Sequence, residues 1–82
     1  MTNSLHTPEY ATFRRILIAR REQAGITQSA IAESLGVPQS FVSKYKSGER
    51  RLDVVEFIQI CHELGITPES VIRELMKQSG LR

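Results

Sequence analysis

Eighty-two residues suffice for one domain with a single small core and are too few to hide a second catalytic or ligand-binding unit. A lone cysteine excludes an internal disulfide, and Arg14, Arg15, Arg20 and Arg21 interrupt the only early apolar patch, so neither a signal peptide nor a membrane span is expected and the protein reads as cytoplasmic. The formal net charge of +2 is unevenly spread: residues 1–51 hold eight Lys or Arg against four Glu, a net +4, whereas residues 52–82 hold three cations against five acids, a net −2. Such a division suits one part that faces phosphates and another with a different task.

In chain order, residues 1–6 are polar and without periodicity, and they read as a flexible arm. With no Lys or Arg before Arg14, the arm is a poor candidate for reaching into a groove. Thr7, Pro8 and Glu9 spell a helix start: a capping hydroxyl, a proline at the first helical position and an acid suited to the positive end of the dipole. The first helix is predicted from Pro8 to about Ala24, with Tyr10, Phe13, Leu17 and Ala24 on its buried stripe, Ile16 beside it, and Gly25 as its stop. Arg20 and Arg21 fall at the flanks of that stripe.

Thr27 is expected to cap a second helix that begins at Gln28. Ile31 and Leu35 keep helical spacing, Ala32 is small where two helices would cross, and Gly36 stands where a left-handed cap would end the helix. Periodicity resumes after Val37, so Pro38 to Ser47 is predicted as a short third helix, with Gln39, Ser40, Ser43, Lys44 and Ser47 on one side and Phe41, Val42 and Tyr45 on the other. The first side lacks carboxylates and carries the groups that pair with base edges: a Gln amide for adenine, a Lys for guanine, and hydroxyls for either. Phe41 has two readings, one partly buried against the second helix and one touching a thymine methyl. In the loop Ser47, Gly48, Glu49, Arg50 and Arg51, the glycine permits a turn and the arginines are candidates to clamp phosphates, although either one alone could equally be part of a solvated charge run.

Asp53 followed by Glu56 is a capping-box arrangement, so a fourth helix is predicted from Val54 to Gly65 with Phe57, Ile60, Cys61 and Leu64 inside. On that stripe Cys61 reads as a buried apolar side chain rather than a redox group. His62 falls outside it and has no second ligand at metal spacing, so no metal is expected. Thr67, Pro68 and Glu69 repeat the first start signal and open a fifth helix that runs to about Gln78. Its apolar face, Val71, Ile72, Leu75 and Met76, is wider than a short terminal helix needs. It either simply closes the core or, as the surplus favours, joins Ile66 and part of the fourth helix in a homodimer interface, giving residues 66–82 the task of dimerisation.

The stretch QSAIAESLGVPQSFVSKY, Gln28 to Tyr45, resembles the helix-turn-helix of the phage-repressor and Cro family, also called XRE-type, and SFVSKYKSGER resembles that family's recognition helix and following loop. The resemblance runs from about Phe13 to Leu64, and in length and five-helix layout the chain is similar to the controller proteins of restriction–modification systems. It implies an all-α, compact, lambda-repressor-like DNA-binding domain with the helix-turn-helix at the second and third helices. On the matching positions it implies base contacts from Gln39, Ser40, Ser43 and Lys44, and phosphate contacts from Thr27, Gln28, Ser47, Arg50 and Arg51. In related repressors the glutamine matching Gln28 also braces the one matching Gln39. The position matching Arg21 typically pairs with a Glu just before the loop; here that place is Lys46, so two cations would face each other unless Arg21 finds another acceptor or a DNA phosphate.

The expected function is a sequence-specific transcription regulator, a homodimer on a pseudo-palindromic double-stranded operator with residues 38–47 in the major groove. The alternative is an antitoxin-type interaction module that binds a toxin and regulates itself through DNA; the chain lacks the long disordered tail that many such partners use. No enzyme, cofactor or small-molecule ligand is expected, since no Ser, His and acid cluster, Gly-rich phosphate loop or ligand set occurs.

Overall fold

The computed structural model describes residues 7–80, and the expected arm lies outside them. Among the described residues all regular structure is helical: α1 (Pro8–Gln23), α2 (Gln28–Leu35), α3 (Gln39–Ser47), α4 (Val54–Leu64) and α5 (Pro68–Ser79). Boundaries follow from local chemistry. Thr7 Oγ1 accepts from the Tyr10 amide (3.1 Å), Thr27 Oγ1 from Ala30 (3.1 Å) and Thr67 Oγ1 from Ser70 (3.3 Å), so three helix starts are satisfied by threonine hydroxyls. Ala24, expected on the buried stripe of α1, is exposed, because the helix stops at Gln23 and the chain leaves through Gly25 with φ 71°.

The capping box of α4 is complete. The Glu56 amide donates to Asp53 Oδ1 (2.8 Å) while Glu56 Oε1 accepts from the Asp53 amide (3.0 Å). Asp53→Ala removes the acceptor at this helix start and is expected to destabilise the fold by about 1 kcal/mol, measured as a lowered denaturant midpoint with an unchanged slope.

Leu17, Ile31, Val42, Tyr45, Ile60, Cys61 and Val71 are fully buried, so each of the five helices contributes to one core. The α2–α3 pair packs on α1 and α4, and α5 lies against α1 and α4. Phe13 joins the aromatic groups of two helices, with ring centroids 5.5 Å from Tyr10 and 5.2 Å from Phe57. Polar ties reinforce these contacts: the Tyr10 hydroxyl accepts from the Leu52 amide (2.9 Å), and Arg20 Nη2 meets Glu74 Oε1 at 2.7 Å.

This packing sorts the residues assigned to dimerisation. Val71 is fully buried and closes the core of its own chain, so it has no surface to offer a partner. Ile66 and Leu75 are half-buried against the same core, whereas Ile72 and Met76 remain 46% and 42% exposed. The difference is helical phase: Val71 points into the core, and its neighbour Ile72 lies at the rim of it, beside Tyr10, Phe13 and Phe57.

Candidate nucleic-acid interface

Gly36 takes φ 70° and its amide donates to the Glu33 carbonyl (3.1 Å), while Val37 donates to the Ala32 carbonyl (3.0 Å). This left-handed closure ends α2 and reverses the chain within three residues, so that α3 restarts at Gln39. On α3, Val42 and Tyr45 point into the core, and Gln39, Ser40, Ser43, Lys44 and Ser47 are all exposed. The result is a polar ridge free of carboxylates, carried by a helix whose other side is anchored.

Two hydrogen bonds set the ridge against α2. Ser29 Oγ donates to Gln39 Oε1 (3.1 Å), and Ser43 Oγ donates to Gln28 Oε1 (3.3 Å). Gln28 and Gln39 therefore do not brace each other as the family resemblance implies; each carbonyl oxygen meets a serine hydroxyl from the opposite helix. Ser29 was not legible as a member of the site, because an exposed serine near a helix start carries no pattern of its own.

The missing Arg21–Glu pair is resolved in two places. Arg21 is buried, and its Nη1 donates to the Ile26 carbonyl at 2.7 Å, on the turn just past its own helix. Lys46 is exposed whereas Arg21 is buried, and the Lys46 backbone carbonyl accepts a 2.9 Å hydrogen bond from Arg14 Nη1. Arg14, to which the sequence assigned no role, thus ties α1 to the last turn of α3.

Beyond α3 the two loop arginines are engaged within the chain. Arg50 donates through Nη1 and Nη2 to the Glu56 carboxylate (3.0 and 2.8 Å), and its Cζ lies 4.4 Å over the Phe41 ring. Phe41 is accordingly half-buried, packed against the core with a guanidinium above it, which favours the first of its two readings. Arg51 stacks 4.4 Å over Tyr10. Ser47 Oγ is 3.1 Å from the Lys44 carbonyl and 3.0 Å from Glu49 Oε2. Thr27 is exposed and Gln28 half-buried at the start of α2.

The hydrogen bonds from Arg50 hold the Glu56 carboxyl below the usual carboxylate range. A depressed carboxyl contributes stability that is fully present above its ordinary range, so the stability of the fold is expected to fall as pH drops from that range through the lowered folded value. Unfolding curves for Glu56→Gln, taken across acidic to neutral pH, are expected to show a shallower decline.

Burial pushes the Cys61 thiol up to about 11 and leaves it fully enclosed. Alkylation of Cys61 at neutral pH is expected to proceed only as fast as the chain opens; rapid modification of the folded protein would contradict this. His62 is exposed, and among the described residues no group of three or more His, Cys, Asp or Glu is gathered to hold a metal ion. No helix among them is long and apolar enough to cross a membrane.

The comparisons with known proteins agree with this geometry. The helix-turn-helix family model matches residues 17–71. An XRE-family like protein from Pseudomonas syringae pv. tomato is 43% identical, with 85% of each chain covered and a TM-score of 0.81. The clp gene regulator ClgR from Corynebacterium glutamicum shares the fold at 21% identity, covering 92% of this chain and 80% of that one, with a TM-score of 0.79. A point mutant of the restriction–modification controller protein C.Esp1396I does so at 17% identity, covering 94% and 98%, with a TM-score of 0.80. No match is found among curated proteins. With the family model spanning residues 17–71 and a 43% identical relative over most of the length, the chain belongs to the XRE-type helix-turn-helix family, a family of DNA-binding regulators rather than enzymes.

Proposed function

We propose that the protein is a sequence-specific transcription regulator that works in the cytoplasm as a homodimer on a pseudo-palindromic DNA operator. The observation that carries this reading is the ridge on α3, where Gln39, Ser40, Ser43 and Lys44 are exposed together while Val42 and Tyr45 fix the helix from behind. A nine-residue helix so mounted fits the major groove, about 12 Å wide, and offers an amide, two hydroxyls and an ammonium to base edges. Thr27 and Gln28 at the start of α2, with Ser47, Arg50 and Arg51 beyond α3, would take phosphates on either side. For Arg50 that contact competes with Glu56, so a phosphate must displace or share an existing ion pair.

Dimerisation is supported by Ile72 and Met76, exposed one turn apart on α5 and flanked by Glu69 and Arg73. A two-fold axis beside this strip would set Glu69 of one protomer near Arg73 of its partner, which makes the strip self-complementary. A subunit of 33 × 26 × 20 Å also suits half-sites one helical turn apart, about 34–36 Å.

Selection of bound duplexes from random DNA at fixed salt tests the proposal. Enrichment of an inverted repeat is the expected result; a pool with no enriched sequence would overturn it.

A further inference from the structure

Helix α3 is tied down along its whole length. Its N-terminal half is held by the bonds from Ser29 to Gln39 and from Ser43 to Gln28, and its middle by buried Val42 and Tyr45. Its C-terminal turn is held by Arg14: Nη1 donates to the Lys46 carbonyl at 2.9 Å. The same guanidinium covers Gly48, where an added Cβ would lie 3.0 Å from Arg14 Cζ and 3.2 Å from Nε. A cation is thereby placed against the negative end of the α3 dipole. Arg14 Nε is buried without a hydrogen-bond partner, so the side chain keeps this seat at the expense of one donor. Gly48 itself takes φ 87°, a left-handed conformation, and without a side chain it leaves room for the guanidinium.

We propose that Arg14 is a positioning residue for DNA reading, one that fixes the C-terminal turn of α3 and therefore the pose of Lys44. This rests on the base-reading function proposed above. The reason is one of tolerance: a contacting side chain must be held to within about 0.5 Å of its productive geometry, and the last hydrogen bond from α2 reaches α3 at Ser43, so beyond Lys44 the closing turn of the helix is held by Arg14. Because the guanidinium is turned inward onto a backbone carbonyl, its loss acts on the helix and not on an additional phosphate contact.

The test compares the full-length protein with Arg14→Met, which keeps the apolar stem, and Arg14→Lys, which keeps a cationic donor. Each is titrated at fixed salt against the duplex selected by the unaltered protein, its single-base variants and a random duplex. Arg14→Met is expected to lose about tenfold on the selected duplex, within the loss expected when a base contact is impaired, with less than about a threefold change on random DNA. Its loss of discrimination should fall on the same base pairs that Lys44→Ala relaxes, and Arg14→Lys should restore most of it. Equal losses on selected and random duplexes, unchanged discrimination, or discrimination lost evenly along the site would overturn the proposal. Thermal unfolding of each variant identifies a general loss of folded protein, which would lower all duplexes in parallel. If the unaltered protein itself prefers no duplex, the base-reading function fails and this role with it; if it discriminates and Arg14→Met does so equally well, only the role of Arg14 fails.

Discussion

Gln39→Ala and Lys44→Ala are each expected to reduce the preference for the selected operator over its single-base variants by about 1–3 kcal/mol, while leaving affinity for random duplex nearly unchanged. Gln39 enters the interface with its amide already oriented. Ser29 donates to its Oε1, and the oxygen retains a second lone pair, so it can accept from adenine N6 while the amide nitrogen donates to N7. That pre-orientation lowers the entropy lost when the side chain is fixed against DNA. Lys44 supplies a point charge on a flexible stem and suits guanine O6 and N7. Arg50→Ala is expected to behave differently, weakening all sequences alike, because phosphate contacts carry no sequence information. It also leaves Glu56 without its guanidinium, so a small loss of stability accompanies it. Titrations with matched, mismatched and random duplexes at one salt concentration separate these outcomes; a uniform loss for Gln39→Ala would refute its base-reading role.

The helices were legible because their ends carry their own chemistry. Thr7 with Pro8, Asp53 with Glu56, and Thr67 with Pro68 announce starts, and Gly36 announces the reversal that defines the motif. The exposed ridge followed from the same periodicity, since Val42 and Tyr45 fix which way α3 must face. What escaped was the long-range polar wiring. Arg14 and Arg21 stand four and eleven residues after Tyr10, beside the stripe that carries Leu17, and that spacing was the available signal that both guanidinium groups turn toward the body. The carbonyls that receive them, Lys46 and Ile26, lie on turns, and backbone acceptors leave no mark in a sequence. The intrachain partners of the loop arginines were equally hidden: Arg50 and Arg51 read as candidate phosphate clamps or part of a solvated charge run, and in the fold they lie on Glu56, Phe41 and Tyr10. The apolar width of α5 was visible in its residues, but its division between core and surface needed the phase of the helix against α1.

Exposed apolar side chains make the oligomer the most consequential test. Ile72→Glu combined with Met76→Glu is expected to yield a folded monomer, because both side chains are surface-exposed, at 46% and 42%, and neither belongs to the fully buried core. Affinity for a duplex with two half-sites should then fall about 10²–10⁴-fold, since linking two weak sites multiplies their binding. Affinity for an isolated half-site should hardly move. Val54, Val55 and Ile58 form a second exposed apolar group at the start of α4, 71%, 64% and 48% accessible, and they provide the control. With an interface on α5, Val55→Glu leaves both the mass and the two-site affinity intact. Sedimentation equilibrium at micromolar concentration, run beside the titrations, distinguishes the outcomes. A dimer that survives the α5 pair and dissociates with Val55→Glu would move the two-fold axis to α4, and with it the distance between the two recognition helices and the half-site spacing that the protein can read.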